Sequence, residues 1–279
     1  MKTIIVATNY SSDSNNAIKY ASALARYTNS KIILFNSFEL PVHALNTLLP
    51  ASAVDELAAT NKKRLKDIAF NISDTCGVTV ECLTSTSDLK EELDYQVERL
   101  KADLVVMGMS EAHSGYWSGN NTTSVIQHAK YPILAVPEEA SFDGISKILL
   151  AFDPACIYAA NKLPLLMEVA ACFKAQVEVC HIEKIGKSTT KGIHMGNTSF
   201  NVETLLNEVD HSYKEIIEDN ILKGIEKEIE DLKADLLVMV PHKYGFWEGI
   251  WHKSKTLKMV RRINIPLLTL PNPESGLCT

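Results

Sequence analysis

Short apolar runs bounded by polar residues recur along the chain, and stretches of helical periodicity separate them. Ile4–Ala7 is β-branched and stops at Thr8 and Asn9, which predicts a buried strand. Ser11 or Ser12 can cap the helix that follows, where Ala17, Tyr20, Ala21, Leu24 and Ala25 fall at helical spacing. Lys31–Ser37 predicts a second strand, Ala53 to about Ser73 a helix, Val78–Leu83 a strand and Leu89–Leu100 a helix. Leu104–Met107, Thr122–Ala129 and Ile133–Val136 then predict strand, helix and strand. Strands that are apolar on both faces imply a parallel sheet covered on each side by helices.

The same alternation occurs a second time. Leu100-Lys101-Ala102-Asp103-Leu104-Val105-Val106-Met107 is nearly repeated by Leu232-Lys233-Ala234-Asp235-Leu236-Leu237-Val238-Met239, an offset of 235 − 103 = 132 residues. Pro132–Pro137 pairs with Pro266–Pro271, and Ile4–Ala7 with Ile148–Ala151. Strands are expected near Ile148–Phe152, Gln176–His181, Tyr213–Ile217, Leu236–Val240 and Leu267–Leu270, with a short helix at Val202–Val209 after a polar stretch from Lys184 to Ser199. The expected architecture is α/β: two tandem Rossmann-like domains, 1–140 and 141–279, each a five-stranded parallel sheet flanked by helices. Periodicity alone leaves the strand order open.

Composition narrows the function classes. A chain of 279 residues with 46% hydrophobic and 22% charged residues has the length for two ordinary domains and the apolar content for two cores. A net charge of −6 gives no reason to expect nucleic-acid binding. Lys253, Lys255, Lys258, Arg261 and Arg262 read as a solvated helix face. The six cysteines form no CxxC pair, and Cys172 and Cys180 read as small buried hydrophobes, which fits a reducing compartment. Ile4–Ala7 is too short for a signal or a membrane span, so a cytoplasmic location and no membrane contact are expected.

Ligands of open parallel sheets bind beyond the carboxyl ends of the strands. In the first half those ends are Thr8-Asn9, Ser37, Ser85 and Gly108. Between Gly108 and Thr123 lie three glycines, Gly108, Gly115 and Gly119, among small polar residues. Such a loop before a helix can bring backbone amides close to a phosphate, or it can be ordinary turn punctuation.

As an ordered set, Ile4–Ser11, the Gly108 loop, Gly119–Ile126 and Ala129–Pro137 resemble the universal stress protein family, and the resemblance extends to both halves. It implies a Rossmann-like sheet of five parallel strands whose last strand often pairs across a dimer, a pairing that a tandem chain can make within itself or extend as a homodimer. It also implies a stress-response regulator. Nucleotide-binding members carry Gly-x-x-Gly, nine residues and Gly-Ser/Thr, with an acidic residue after the first strand facing adenine. Here Gly108 matches the first glycine, Glu111 replaces the second, Gly119 matches the third, Asn120 replaces Ser/Thr and Asn9 replaces the acid. The resemblance thus implies ATP or another adenine nucleotide at Ala7, Thr8, Asn9, Ser37, Gly108, Gly119, Asn120 and Asn121.

In the second half Asp153 keeps the acidic position, but Pro154 follows it, Val240 replaces the first glycine and Lys253-Ser254 replaces Gly-Ser. No nucleotide is expected there. His242 and His252 match no zinc spacing. Phe246, Trp247, Ile250 and Trp251 form an aromatic loop that packs under its own sheet or meets an unknown protein partner, and Tyr116 and Trp117 occupy the matching loop. No GxSxG elbow, P-loop lysine or HExxH is present, and Glu226, Glu228 and Glu230 read as a solvated helix face, so catalysis is not expected. A nucleotide-free interaction module and a slow ATP phosphohydrolase are the alternatives.

Overall fold

The computed structural model describes residues 1–38, 51–109, 119–151, 163–183, 206–240 and 264–271. The first half runs β1 (Thr3–Ala7), α1 (Ser12–Thr28), β2 (Lys31–Ser37), α2 (Ala51–Cys76), β3 (Val80–Ser85), α3 (Leu89–Leu100), β4 (Leu104–Met109), α4 (Gly119–His128) and β5 (Ile133–Pro137). The second runs β6 (Lys147–Ala151), α5 (Pro164–Phe173), β7 (Gln176–Glu183), β8 (His211–Ile217), α6 (Ile221–Leu232), β9 (Leu236–Met239) and β10 (Leu267–Thr269). Residues 206–209 form a turn rather than the end of the expected helix Val202–Val209, and the rest of that segment lies outside the described residues.

The ten strands among the described residues form one sheet in the order β3-β2-β1-β4-β5-β10-β9-β6-β7-β8. Each half is parallel throughout, with the order 3-2-1-4-5 and its repeat. The halves meet through an antiparallel pairing of β5 with β10, Ala135 opposite Leu267, Leu134 opposite Leu268 and Ile133 opposite Thr269. Alternate residues feed opposite cores. Ile4 and Val6 join α1, α2 and α5 on one side, whereas Ile5 and Ala7 join α3, α4 and α6 on the other. Both cores run through both halves. Tyr20 and Tyr27 of α1 also pack with Phe142 of the connecting segment and Phe173 of α5, ring centroids 4.9–5.8 Å apart.

The repeated Leu-Lys-Ala-Asp segment has one physical job in each half. Lys101 (φ 50°) and Lys233 (φ 55°) close α3 and α6 in the left-handed conformation, a common way to satisfy the last carbonyls of a helix. The aspartate two residues on then fixes a strand. Asp103 Oδ2 accepts from the Lys2 and Thr3 amides at 2.6 and 2.9 Å, and Asp235 Oδ2 from those of Ser146 and Lys147 at 2.7 and 2.9 Å. The aspartate amides return the bond to the Thr3 and Lys147 carbonyls.

Two readings of single residues are corrected. Cys172 is exposed on α5 instead of buried, its thiol donating to the Tyr27 carbonyl, while Cys180 is buried as expected. Glu228 is not solvated: it is 2% exposed under α6 and accepts from Lys214 Nζ of β8 at 2.5 Å. Its helix-mates Glu226 and Glu230 are half-buried and exposed.

Candidate functional site

The carboxyl ends of β1, β2 and β4 and the first turns of α1, α3 and α4 converge on a cleft with a free volume of about 50 Å³. Ala7, Thr8, Asn9, Ser37 and Gly108, picked out from the sequence, line it together with Asp13, Ser14, Leu89, Met107 and Thr122. Gly119, Asn120 and Asn121 form the first turn of α4, whose Thr122 hydroxyl donates to the Gly108 carbonyl at 2.9 Å. That bond fixes the start of α4 beside the end of β4.

Gly108 has a structural requirement of its own. A Cβ there would lie 2.5–2.6 Å from the Asp13 main-chain carbon and oxygen and the Ser14 amide. No side chain fits against a main chain that close, so the glycine lets α1 pack on β4 whether or not a ligand binds.

The turn after β1 is tightly bonded. Asn9 Oδ1 accepts from the Ser11 amide at 3.1 Å and from the Ser11 hydroxyl, while Ser11 caps α1 by accepting from the Ser14 amide at 3.4 Å. Ser14 Oγ donates to the Ser11 carbonyl at 3.1 Å, which leaves the Thr8 hydroxyl to donate to Ser14 Oγ at 3.1 Å. Thr8 Oγ1 also accepts from the Tyr10 amide at 3.0 Å. Ser37 donates to the Ser87 carbonyl. The lining hydroxyl hydrogens of Thr8, Ser14, Ser37 and Thr122 are thus spent inside the protein. The Asn9 amide nitrogen makes no hydrogen bond to a described residue and is exposed at the cleft. Asp13 is 4% exposed in the first turn of α1, where the helix dipole favours a carboxylate.

Asp13, Ser14, Leu89 and Thr122 could not be read from the sequence as site residues. They sit in the first turns of their helices and reach the cleft only through the packing of α1, α3 and α4 on the sheet. The Ser11-to-Ser14 cap spacing was the one local signal for Ser14.

The second half departs from this plan at its strand ends. Val240 follows β9 as Gly108 falls after Met107 in β4, and its side chain is 1% exposed. Asp153, Pro154, Glu111, Gly115, Tyr116, Trp117, His242, the Phe246–Trp251 segment, His252 and the Lys253–Arg262 cluster lie outside the described residues. Among the described residues no cluster of three metal-ligating side chains occurs, and no helix is long and apolar enough to cross a membrane.

Comparison with known proteins gives one family. Residues 1–137 match the sequence model of the universal stress protein family. The fold is similar to that of a universal stress protein from Archaeoglobus fulgidus, with a TM-score of 0.73 at 16% identity, covering 96% of this chain and 97% of that one. A putative universal stress protein from Pseudomonas aeruginosa UCBPP-PA14 gives a TM-score of 0.57 at 13% identity, with 97% and 93% covered. A functionally unknown protein from Pseudomonas aeruginosa PAO1 also gives 0.57, at 12% identity, with 97% and 92% covered. No curated protein matches the sequence.

Proposed function

From a chain whose first half belongs to the universal stress protein family and whose second half repeats its fold, we propose a stress-response regulator that binds a nucleotide in the first half only. The proposed ligand is ATP or another adenine nucleotide, and the proposed domains are 1–140 and 141–279. One observation carries the reading: strand ends and the first turn of α4 meet around a residue without a side chain, Gly108.

Amides in the first turn of a helix have no partner within it, and the helix dipole adds partial positive charge there. Gly119, Asn120 and Asn121 begin α4, and their first-turn amides support the reading as donors to a phosphate. The buried Asp13 carboxylate repels an anion from the start of α1, so the phosphates belong on the α4 side. The base end then lies toward Asn9 and Ser37, whose lining is mixed polar and apolar through Ala7, Leu89 and Met107. With about 50 Å³ inside the cleft, the nucleotide lies across its mouth. In the second half a buried valine, Val240, stands at the strand position that Gly108 holds in the first.

Equilibrium titration with labelled ATP tests the reading, with native mass spectrometry of the purified protein checking for carried nucleotide. Saturable binding of one nucleotide per chain is expected. Gly119→Val should abolish it, because a branched Cβ blocks the close approach of phosphate to the first turn of α4. No binding at millimolar ATP would leave a nucleotide-free interaction module as the better reading.

A further inference from the structure

Four of the described non-glycine residues with positive φ close helices: Asn29, Lys101, Lys174 and Lys233. Tyr10 (φ 65°) does not. It stands between Asn9 and Ser11 in the turn that walls the cleft. A bulky side chain holds this conformation only where its surroundings impose it.

Those surroundings come from α2. The Arg64 guanidinium lies over the Tyr10 ring, 4.1 Å from its centroid. The Tyr10 hydroxyl donates to the Asn61 carbonyl at 3.3 Å. Asn61 Nδ2 donates to Asn36 Oδ1 at 2.6 Å, and Asn36 Nδ2 donates to the Thr8 carbonyl at 2.6 Å. Asn61 and Arg64 are three residues apart on one helix face, so a single turn of α2 grips the loop at both Thr8 and Tyr10. Burial pushes the Tyr10 hydroxyl up to about 12 against the lowering effect of Arg64, which keeps it a donor at neutral pH. The grip sets where the Asn9 and Ser11 side chains stand.

Among the described residues of the second half this relay has no counterpart. His181 follows Cys180 of β7 as Asn36 follows Phe35 of β2, and its Nδ1 is buried without a hydrogen-bond partner among the described residues. Among the described residues, the polar chain is found in the half with the open cleft and not in the half where Val240 stands at the strand end.

We infer that Tyr10 and Arg64 are positioning residues for the ligand, the Asn61–Arg64 turn of α2 acting as a brace that holds the Thr8–Ser11 turn in its ligand-ready shape. This rests on the nucleotide reading above. Because coupling between two sites is reciprocal, a ligand in the cleft also steadies the brace.

Labelled ATP titrated into the full-length wild type, Arg64→Ala, Arg64→Lys, Tyr10→Phe, Tyr10→Ala and the Arg64→Ala/Tyr10→Ala double variant tests this. Hydrogen exchange across α2 with and without ATP accompanies the titration. Each alanine variant should bind about fivefold more weakly, the scale of a cation–π contact. The double variant should be no weaker than the weaker single variant, as expected of one shared contact. Arg64→Lys and Tyr10→Phe should recover most of the affinity, with melting temperatures close to that of the wild type. ATP should slow exchange around Asn61–Arg64 in the wild type and not in Arg64→Ala. No ATP binding by the wild type overturns both the nucleotide reading and the brace. Binding with unchanged affinity in Arg64→Ala, additive losses in the double variant, or no protection of α2 overturns the brace alone.

Discussion

The two halves agree where the backbone must be held and differ where a ligand would be met. Asp103 and Asp235 make the same pair of bonds to the start of a strand, and left-handed lysines close the helices before them. Asn29 and Lys174 likewise end α1 and α5 in the left-handed conformation. At the strand ends the likeness stops: Val240 takes the place of Gly108, and His181, whose Nδ1 has no partner among the described residues, takes the place of the bonded Asn36. The layer under the helices differs as well. By strand register and repeat offset, Ile33, Leu83 and Gln96 of the first half stand where Glu178, Lys214 and Glu228 stand in the second. The repeat therefore persists where a helix end and a strand start are joined through main-chain bonds, and drifts at the strand ends and in the layer under the helices.

The largest effect that could break this comparison is expected at Gly108. Gly108→Val drives a side chain into the main chain of α1 and should cost about 3 kcal/mol in chemical denaturation, at the upper end of overpacking penalties. Wild-type stability in that variant would mean the glycine is kept for the ligand and not for packing. Asp103→Ala and Asp235→Ala should follow, each losing about 1–2 kcal/mol as two strand amides lose their charged acceptor. Equal losses sharpen the equivalence of the halves, whereas an effect confined to one refutes it.

The smallest effect concerns pH. Burial first, then hydrogen bonding and like charge from Glu228, raise the Glu178 carboxyl above its ordinary value, against the lowering influence of Lys214 and Lys147. A carboxyl whose folded value is raised gives its stability below the unfolded value, near 4.3 for glutamate, and loses it as pH rises through the folded value. Wild-type stability should therefore carry a downward slope above about pH 4 that Glu178→Gln lacks. Melting curves across pH would show it, and identical slopes would remove Glu178 as the cause. Replacing Ile33, its counterpart in the first half, with valine should leave the slope unchanged.

Much of the scaffold was legible from local pattern. Runs such as Ile4–Ala7 and Leu104–Met107 are apolar on both faces, which marks covered parallel strands, and the Leu-Lys-Ala-Asp repeat disclosed the duplication. Those same runs carry no information about neighbours, so the strand order and the antiparallel β5–β10 joint had to come from the structure. Thr8, Asn9, Ser37 and Gly108 could be picked out because strand ends are where such sheets open, whereas Ala7 came with the family resemblance. Arg64 could not, because its spacing in α2 matches that of any exposed helix cation. Glu228 was misread for a related reason: its partner Lys214 lies on a separate strand, and charge alone suggested water.

The joint between β5 and β10 also bears on how the two halves could change over time. Three residue pairs would hold separate subunits together only at sufficient concentration, but a covalent connection replaces that with a high and constant local concentration. Each first half thus always meets the same second half and can never exchange it for a copy of itself. A partner so captured need no longer recognise a ligand to be retained. It contributes a sheet edge and an apolar face, and its strand ends are free to acquire Val240 and His181 without cost to the assembly.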